Sequence, residues 1–383
     1  MTRQKLLYVL PTYDQDSDEH LYHLYGFLEE TAVHGDTWLL IERAKGTPQF
    51  PRVRVYRRVL QIPLLRALEV LLVMIWARTQ GYRHFYVHYS VSAAILAALV
   101  TRTLGGTSYY WNCGHPLDFV PPRIRSWSDW MTRLRNVYLL GLTMRLVHHL
   151  VTGTESMARY YSEGYRLPRE SVRVMPNWVD LKRFRALPRR ETLRAELGWP
   201  KGANVVLFLH RLAERKGAHR IVPIAQEVLA QSLQGTLPTL FVVAGDGPYQ
   251  EQLTLDVKHA GLDEHIRLVG AVPNREAIRY FAAADAYMMP STEEGFPRVL
   301  LEAMAAGCPF VATDVGGVRD ILTPAQAWGL VPQADWKAMA NKLIQLLSDP
   351  TRHAELAQEG MIQVQRFSQE KVVQQFLDLL SAG

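Results

Sequence analysis

The sequence predicts an α/β protein of two doubly wound domains, each a parallel sheet covered by helices on both faces. Three observations carry the prediction. The chain has 383 residues, 48% of them apolar, which is enough for two packed cores. Short apolar runs alternate with helix-length segments along nearly the whole chain. Those runs are continuous instead of alternating with polar residues, as strands of a parallel sheet buried on both faces require.

In the C-terminal half the runs are Val205–Leu209, Leu240–Ala244, Ile266–Val269, Ala286–Met289, Phe310–Thr313 and, more weakly, Gly329–Val331. Between them lie the helical segments Ala218–Gln231, Tyr249–Ala260, Arg275–Ala283, Val299–Ala306 and Gly317–Leu322. A sheet wound in this way binds its ligands at the carboxyl ends of its strands. The N-terminal half repeats the pattern with Leu6–Leu10, a helix near His20–Glu30, Thr37–Ile41, a helix over Leu64–Ala77, Phe85–His88, a helix over Ala93–Leu104, Tyr109–Trp111 and Leu150–Thr152. The predicted domains are residues 1–178 and 179–383, joined near Met175–Phe184, with the last helix placed to return to the N-terminal domain.

Composition removes several classes. Disordered and collagen-like chains are excluded, and a formal charge of +6 is too small and diffuse for a nucleic-acid binder. Cys113 and Cys308 cannot build a disulfide framework or a cysteine zinc site, which favours a reducing, cytoplasmic setting. The apolar run before Pro11 reads as a buried strand and not as the core of a signal peptide. Leu60 to Ala77 is interrupted by Pro63, Arg66 and Glu69, too often for a transmembrane helix. Charge is uneven: residues 1–179 hold 21 Lys/Arg against 14 Asp/Glu, and residues 180–383 hold 22 against 23. The basic excess therefore lies in the N-terminal half.

The densest constellation runs from Pro290 to Gly307. A strand enters a Ser/Thr/Gly turn and a helix opens near Pro297, so free N–H groups and the positive helix end suit a diphosphate. Glu294 and Glu302 are about 12 Å apart along such a helix at 1.5 Å per residue. That is too far for a paired acid and base, but it suits hydroxyls at two ends of a nucleotide sugar. The bland alternative makes Glu294 a cap and Glu302 a solvated helix residue. Three more loops close strands at the same edge: His210-Arg211 to Lys216-Gly217, Gly245-Asp246-Gly247-Pro248, and Gly316-Gly317. Arg211 can fork onto phosphate oxygens, Lys216 adds a point charge, and the glycines let backbone approach a ligand.

This ordered set resembles the family 4 retaining glycosyltransferases of the GT-B fold, whose two Rossmann-like domains face each other across a cleft. The resemblance rests on Arg211, Lys216 and Gly217; Gly245 to Pro248; Val269-Gly270; Pro290 to Phe296; the Glu294/Glu302 spacing; and Gly316-Gly317. Pro176 to Asp180 with Phe184 is similar to the family's interdomain linker, with Trp178 where glycine is usual. It implies that Arg211 and Lys216 hold the donor diphosphate and assist its departure. Glu302 would bind ribose hydroxyls; Glu294, Gly295, Phe296 and Pro297 would hold the donor sugar; Val269 to Val272 would line the base. It also implies a UDP- or GDP-sugar donor, no cofactor and no metal.

The N-terminal domain departs from the family. Where a Gly-Gly loop is usual after the first strand, this chain carries Asp14, Asp16 and Asp18, a run that could bind a metal ion but whose place before a helix better suits capping it. Where a histidine often stands near the reacting sugar, the segment reads Trp111 to Pro116, making His115 the candidate with Asn112 beside it. His88, Asn112, Asp14 and Asp16 are the acceptor-side candidates.

Residues 123–140 interleave Arg123, Arg125, Arg133 and Arg135 with Trp127, Trp130 and Tyr138, and Arg52, Arg54, Arg57, Arg58 and Leu64–Leu65 add to them. Such a segment suits an anionic membrane surface, and with it a peripheral enzyme on the inner leaflet using a lipid-linked acceptor. A nucleotide-sugar 2-epimerase of the same fold and a non-catalytic membrane-associated binding protein are the competing expectations.

Overall fold

The computed structural model describes residues 4–15, 21–231 and 238–382. It has two compact units, Met1–Pro176 with Glu370–Gly383, and Asn177–Gln369. The division falls two residues ahead of the boundary expected from sequence, and the C-terminal helix goes with the first unit.

In chain order the strands are β1 (Lys5–Leu10), β2 (Tyr13–Asp14), β3 (Asp36–Ile41), β4 (Ala44–Lys45), β5 (Arg54–Arg57), β6 (His84–His88), β7 (Thr107–Trp111), β8 (His149–Thr152) and β9 (Val172–Val174). The second unit has β10 (Asn204–Leu209), β11 (Thr239–Ala244), β12 (Ile266–Gly270), β13 (Ala286–Met289), β14 (Phe310–Thr313) and β15 (Leu330–Val331). The first sheet is ordered β5-β3-β1-β6-β7-β8-β9 and the second β12-β11-β10-β13-β14-β15, with every pairing parallel. Strands β2 and β4 make a separate two-residue ladder.

Each order reverses once. From β1 the chain winds outward through β3 and β5 and then returns to β6. From β10 it winds through β11 and β12 and then returns to β13. The reversal leaves a crevice between loops that run to opposite faces, which is where doubly wound sheets take their ligands. The two crevices therefore lie at the carboxyl ends of β1/β6 and β10/β13.

Central strands are apolar on both faces: Leu7, Val9, Val206 and Phe208 lie in core clusters on one face of β1 and β10, and Leu6, Tyr8, Leu10, Val205 and Leu207 are buried on the other. The helix Gln369–Ser381 buries Val372, Val373, Phe376 and Leu380, one face at helical spacing. Phe376 packs edge-on against Tyr86 at 5.0 Å and lies 5.2 Å from Phe27, which is why this helix belongs to the first unit. At the amino end of the second sheet Asp285 accepts a hydrogen bond from Val205 N at 2.7 Å and pairs with Arg190 and Arg194. That network is on the edge opposite the crevice.

Several expected elements differ. β5 and β9 escaped prediction because RVYR and VRV lack a continuous apolar run. The segment expected as a helix over Gly317–Leu322 is only a 3-10 turn, Arg319–Ile321. The Trp-rich region is helical over Trp127–Arg133 and Leu140–Leu146, with the π-helical turn Leu134–Leu139 between them. Leu21 stands at the N-cap of the helix Tyr22–His34 without a side-chain cap bond, and Asp16 and Asp18, expected to cap this helix, lie outside the described residues.

Candidate active site

The site is built from loops at the β10/β13 reversal. After β10 the chain forms the 3-10 turn Glu214–Lys216, and Gly217 follows at φ 78. A Cβ on Gly217 would lie 2.1 Å from Pro290 O, so only glycine lets this loop rest against the loop after β13. Gly245 has φ 138, and its Cβ would meet His210 O at 1.9 Å, locking the β11 loop to the β10 loop in the same way. Backbone bonds complete the assembly: Thr292 N to Arg215 O at 2.9 Å, Leu212 N to Asp246 O at 2.6 Å, Gly245 N to Gly270 O at 2.7 Å and Gly317 N to Glu294 O at 3.1 Å. Thus Gly245, Gly247, Val269-Gly270, Glu294 and Gly316-Gly317 are brought to one edge, as their sequence positions imply.

Glu294 is at its centre. Its Oε1 accepts from Lys216 Nζ at 2.7 Å and from Ser291 Oγ at 2.8 Å, and His210 Nε2 is 3.6 Å away. Glu294, Lys216 and Ser291 are all buried. Burial pushes the Glu294 carboxyl up, but Lys216, His210 and Ser291 together reverse this and hold it below the usual carboxylate range. Burial, with the Lys216 ammonium beside it, lowers the His210 imidazole to about 4. His210 Nδ1 accepts the Arg211 backbone N–H at 2.8 Å, so the neutral ring carries its proton on Nε2, toward Glu294.

Glu302 is also buried, with Oε1 3.7 Å from Arg298 NH2. Both carboxylates are therefore enclosed by the fold, which corrects the alternative of Glu302 as a solvated helix residue. The helix after β13 is Arg298–Ala305, opening one residue past Pro297, which serves as N-cap without a side-chain cap bond. The Arg211 side chain is exposed and makes no hydrogen bond or ion pair with a described residue. Val272 is half-buried, and Phe296 turns its ring against Phe367 in the core of the unit. His210 and Ser291 were missed as partners of Glu294, because only the packing of two distant loops brings them together.

The acceptor-side candidates fare differently. His88 is buried, hydrogen-bonded through Nδ1 to Tyr8 OH at 3.0 Å and stacked on Trp111 at 4.3 Å. Asn112 is held by Tyr110 OH and Tyr161 OH, both at 3.0 Å. His115 stands before the 3-10 turn Pro116–Phe119, edge-on to Tyr160 at 4.8 Å. Asp14 pairs with Lys45 at 3.4 Å in the β2/β4 ladder. Asp16 and Asp18 lie outside the described residues. Packing thus gives His88 and Asn112 structural partners within the first unit. Among the described residues no group of three His, Cys, Asp or Glu is placed to hold a metal ion.

Residues 189–363 match the model of the glycosyl transferases group 1 family. This region is a group 1 glycosyltransferase domain. The group 1 domain and the first unit together have the GT-B fold: HepE of Anabaena, solved in complex with UDP, superposes with a TM-score of 0.75 at 20% identity over 99% of this chain and 100% of that one. A D-inositol 3-phosphate glycosyltransferase of Corynebacterium urealyticum is 29% identical over 60% of this chain and 55% of its own length. A 2-deoxystreptamine N-acetyl-D-glucosaminyltransferase of Streptomyces fradiae is 32% identical over 55% and 49%. The chain spans about half the length of these curated relatives.

The first unit also has an apolar surface. The helix Pro63–Thr79 exposes Leu64, Leu68, Leu72 and Trp76, one stripe at four-residue spacing. A cavity of about 390 Å³ opens there, lined by Tyr56, Leu60, Leu68, Leu72 and Trp76 with Glu69. Trp127, Trp130, Tyr138 and Leu142 are exposed as well. No described helix is long and apolar enough to cross a membrane.

Proposed function

We propose that the protein is a retaining glycosyltransferase that moves a hexose, of mannose or glucose type, from a UDP- or GDP-sugar to an acceptor hydroxyl. The observation that carries this is the buried Lys216–Glu294 pair joining the β10 and β13 loops, with Arg211 exposed on the same β10 loop and the helix Arg298–Ala305 opening after the β13 loop. UDP in the structurally similar HepE supports a nucleotide donor.

In this reading Arg211, Lys216 and the helix end offset charge on the departing diphosphate, work that a divalent ion performs elsewhere. Glu302 accepts ribose hydroxyls and Glu294 anchors the donor sugar. The bond from sugar C1 to the diphosphate oxygen breaks, the bond from C1 to the acceptor oxygen forms, and the acceptor proton leaves with the diphosphate. A thermal-shift screen of UDP- and GDP-sugars with and without EDTA tests donor class and metal independence together. Stabilisation by one nucleotide series, unchanged by EDTA, is expected. Product analysis separates transfer from the epimerase and binding-protein alternatives: free nucleotide with a glycosylated acceptor, against an isomerised donor or no change.

The apolar and cationic surface of the first unit supports a finer reading, a peripheral enzyme on the anionic inner leaflet with a lipid-linked glycan or glycolipid as acceptor. The names of the two relatives favour a second: D-inositol 3-phosphate and 2-deoxystreptamine are both polyhydroxylated six-membered rings.

A further inference from the structure

The first unit has its own reversal crevice, between β1 and β6; His88 and Asn112 are hydrogen-bonded within the fold, and Asp16 lies outside the described residues. Tyr89 stands at its edge. It is the first residue after β6 and is 37% exposed. Its backbone has φ 58, one of only three non-glycine residues at positive φ among those described. Ser90 N–H closes on His88 O at 2.7 Å across it, which makes this a γ-turn of the rare, strained hand.

Neighbouring groups hold the strain in place. Tyr89 N donates to Trp111 O at 3.1 Å, and Tyr110 OH donates to Tyr89 O at 3.3 Å. The Tyr89 ring stands perpendicular to both Trp111, at 5.0 Å, and His88, at 4.9 Å. His88 is fixed in turn by Tyr8, so buried rings back the Tyr89 ring, and burial pushes its hydroxyl far above the usual phenol range. The Glu42 carboxyl, just past β3, hydrogen-bonds Ser90. A strained bulky residue kept at the ligand edge of a sheet, with a carboxyl group close by, marks a functional position.

We propose that Tyr89 is the platform on which the acceptor ring stacks, the acceptor being a saturated, polyhydroxylated six-membered ring of the sugar or cyclitol class, with Glu42 taking one of its hydroxyls. The proposal rests on the transferase reading for the word acceptor, but the binding it describes belongs to the first unit alone. Aromatic faces bind the C–H face of such rings, while a carboxylate fixes their orientation.

The test titrates D-inositol 3-phosphate, 2-deoxystreptamine and octyl glucoside into the full chain, with binding read by saturation-transfer NMR. At least one probe binds the wild type. Tyr89→Phe keeps that affinity within about threefold and Tyr89→Gly, the residue type that this φ favours, loses about tenfold or more. Preference for octyl glucoside indicates a lipid-linked source of the ring, and preference for the other two a free cyclitol. Unchanged binding in Tyr89→Gly, or no binding of any probe to the wild type, overturns the proposal. Thermal unfolding separates lost binding from lost fold, and Tyr89→Asn, which also tolerates left-handed backbone, replaces a glycine variant that fails to fold. Parallel UDP and GDP titrations keep the two claims apart: failure of both to bind contradicts the transferase reading and leaves the ring-binding result standing.

Discussion

Lys216 and Glu294 come from different strand-to-helix loops and form one buried ion pair, Nζ to Oε1 at 2.7 Å. The pair holds the β10 loop against the β13 loop and presents two opposite charges at the point where the strand order reverses. On the transferase reading, stability and function are therefore coupled at these residues. Removing one partner strands the other charge in the interior.

Lys216→Met should destabilise the protein by about 3–5 kcal/mol, the usual cost of breaking a buried pair from one side. The double variant Lys216→Met/Glu294→Leu should recover most of that loss while remaining inactive. Urea unfolding of both variants checks this, and equal stabilities for the single and double variants would show that the pair is not coupled.

Arg211 behaves in the opposite way, because its exposed guanidinium has no partner among the described residues. Arg211→Ala should leave unfolding within about 0.5 kcal/mol of wild type, as for an ordinary surface change. Donor affinity should nevertheless fall about tenfold, roughly 1.4 kcal/mol. Calorimetric titration with the preferred nucleotide sugar measures it.

His210 makes stability depend on pH. Its imidazole falls to about 4 in the folded protein, from an ordinary 6.5, through burial first and Lys216 second. As pH drops below about 6.5 the unfolded chain takes up a proton that the folded chain refuses, so stability declines with acid through the window down to the folded value. The loss from this residue between pH 7 and pH 5 is about 2 kcal/mol. His210→Asn should show a shallower decline over the same range, although Glu294 contributes its own acid dependence in both proteins. Identical slopes would refute the assignment.

The exposed stripe on Pro63–Thr79 predicts co-flotation with anionic vesicles that weakens as salt rises. Leu68→Glu/Leu72→Glu should abolish flotation and leave nucleotide binding unchanged. No preference for anionic over neutral vesicles would remove the membrane component of the function.

Much of this architecture was legible from residue order. Continuous apolar runs such as Phe310–Thr313 are strands because parallel sheets bury both faces, and Gly245 and Gly217 announce loops because only glycine tolerates their contacts. What escaped was set by tertiary neighbours. Arg54–Arg57 is a strand only because β3 offers an edge. The partners of His88 and Asn112 that come from other strands and helices, namely Tyr8, Trp111 and Tyr161, could not be read from the local sequence. Tyr89 gave no signal, since a positive φ on tyrosine cannot be read from the residue type.

The most direct measurement is release of nucleoside diphosphate from UDP- and GDP-sugars by wild type and Glu302→Ala, followed chromatographically with EDTA present. Wild type should release one of the two diphosphates, and Glu302→Ala should do so at least about tenfold more slowly. No release from either donor series, or equal rates in the two proteins, would contradict the placement of the donor at the β10/β13 crevice.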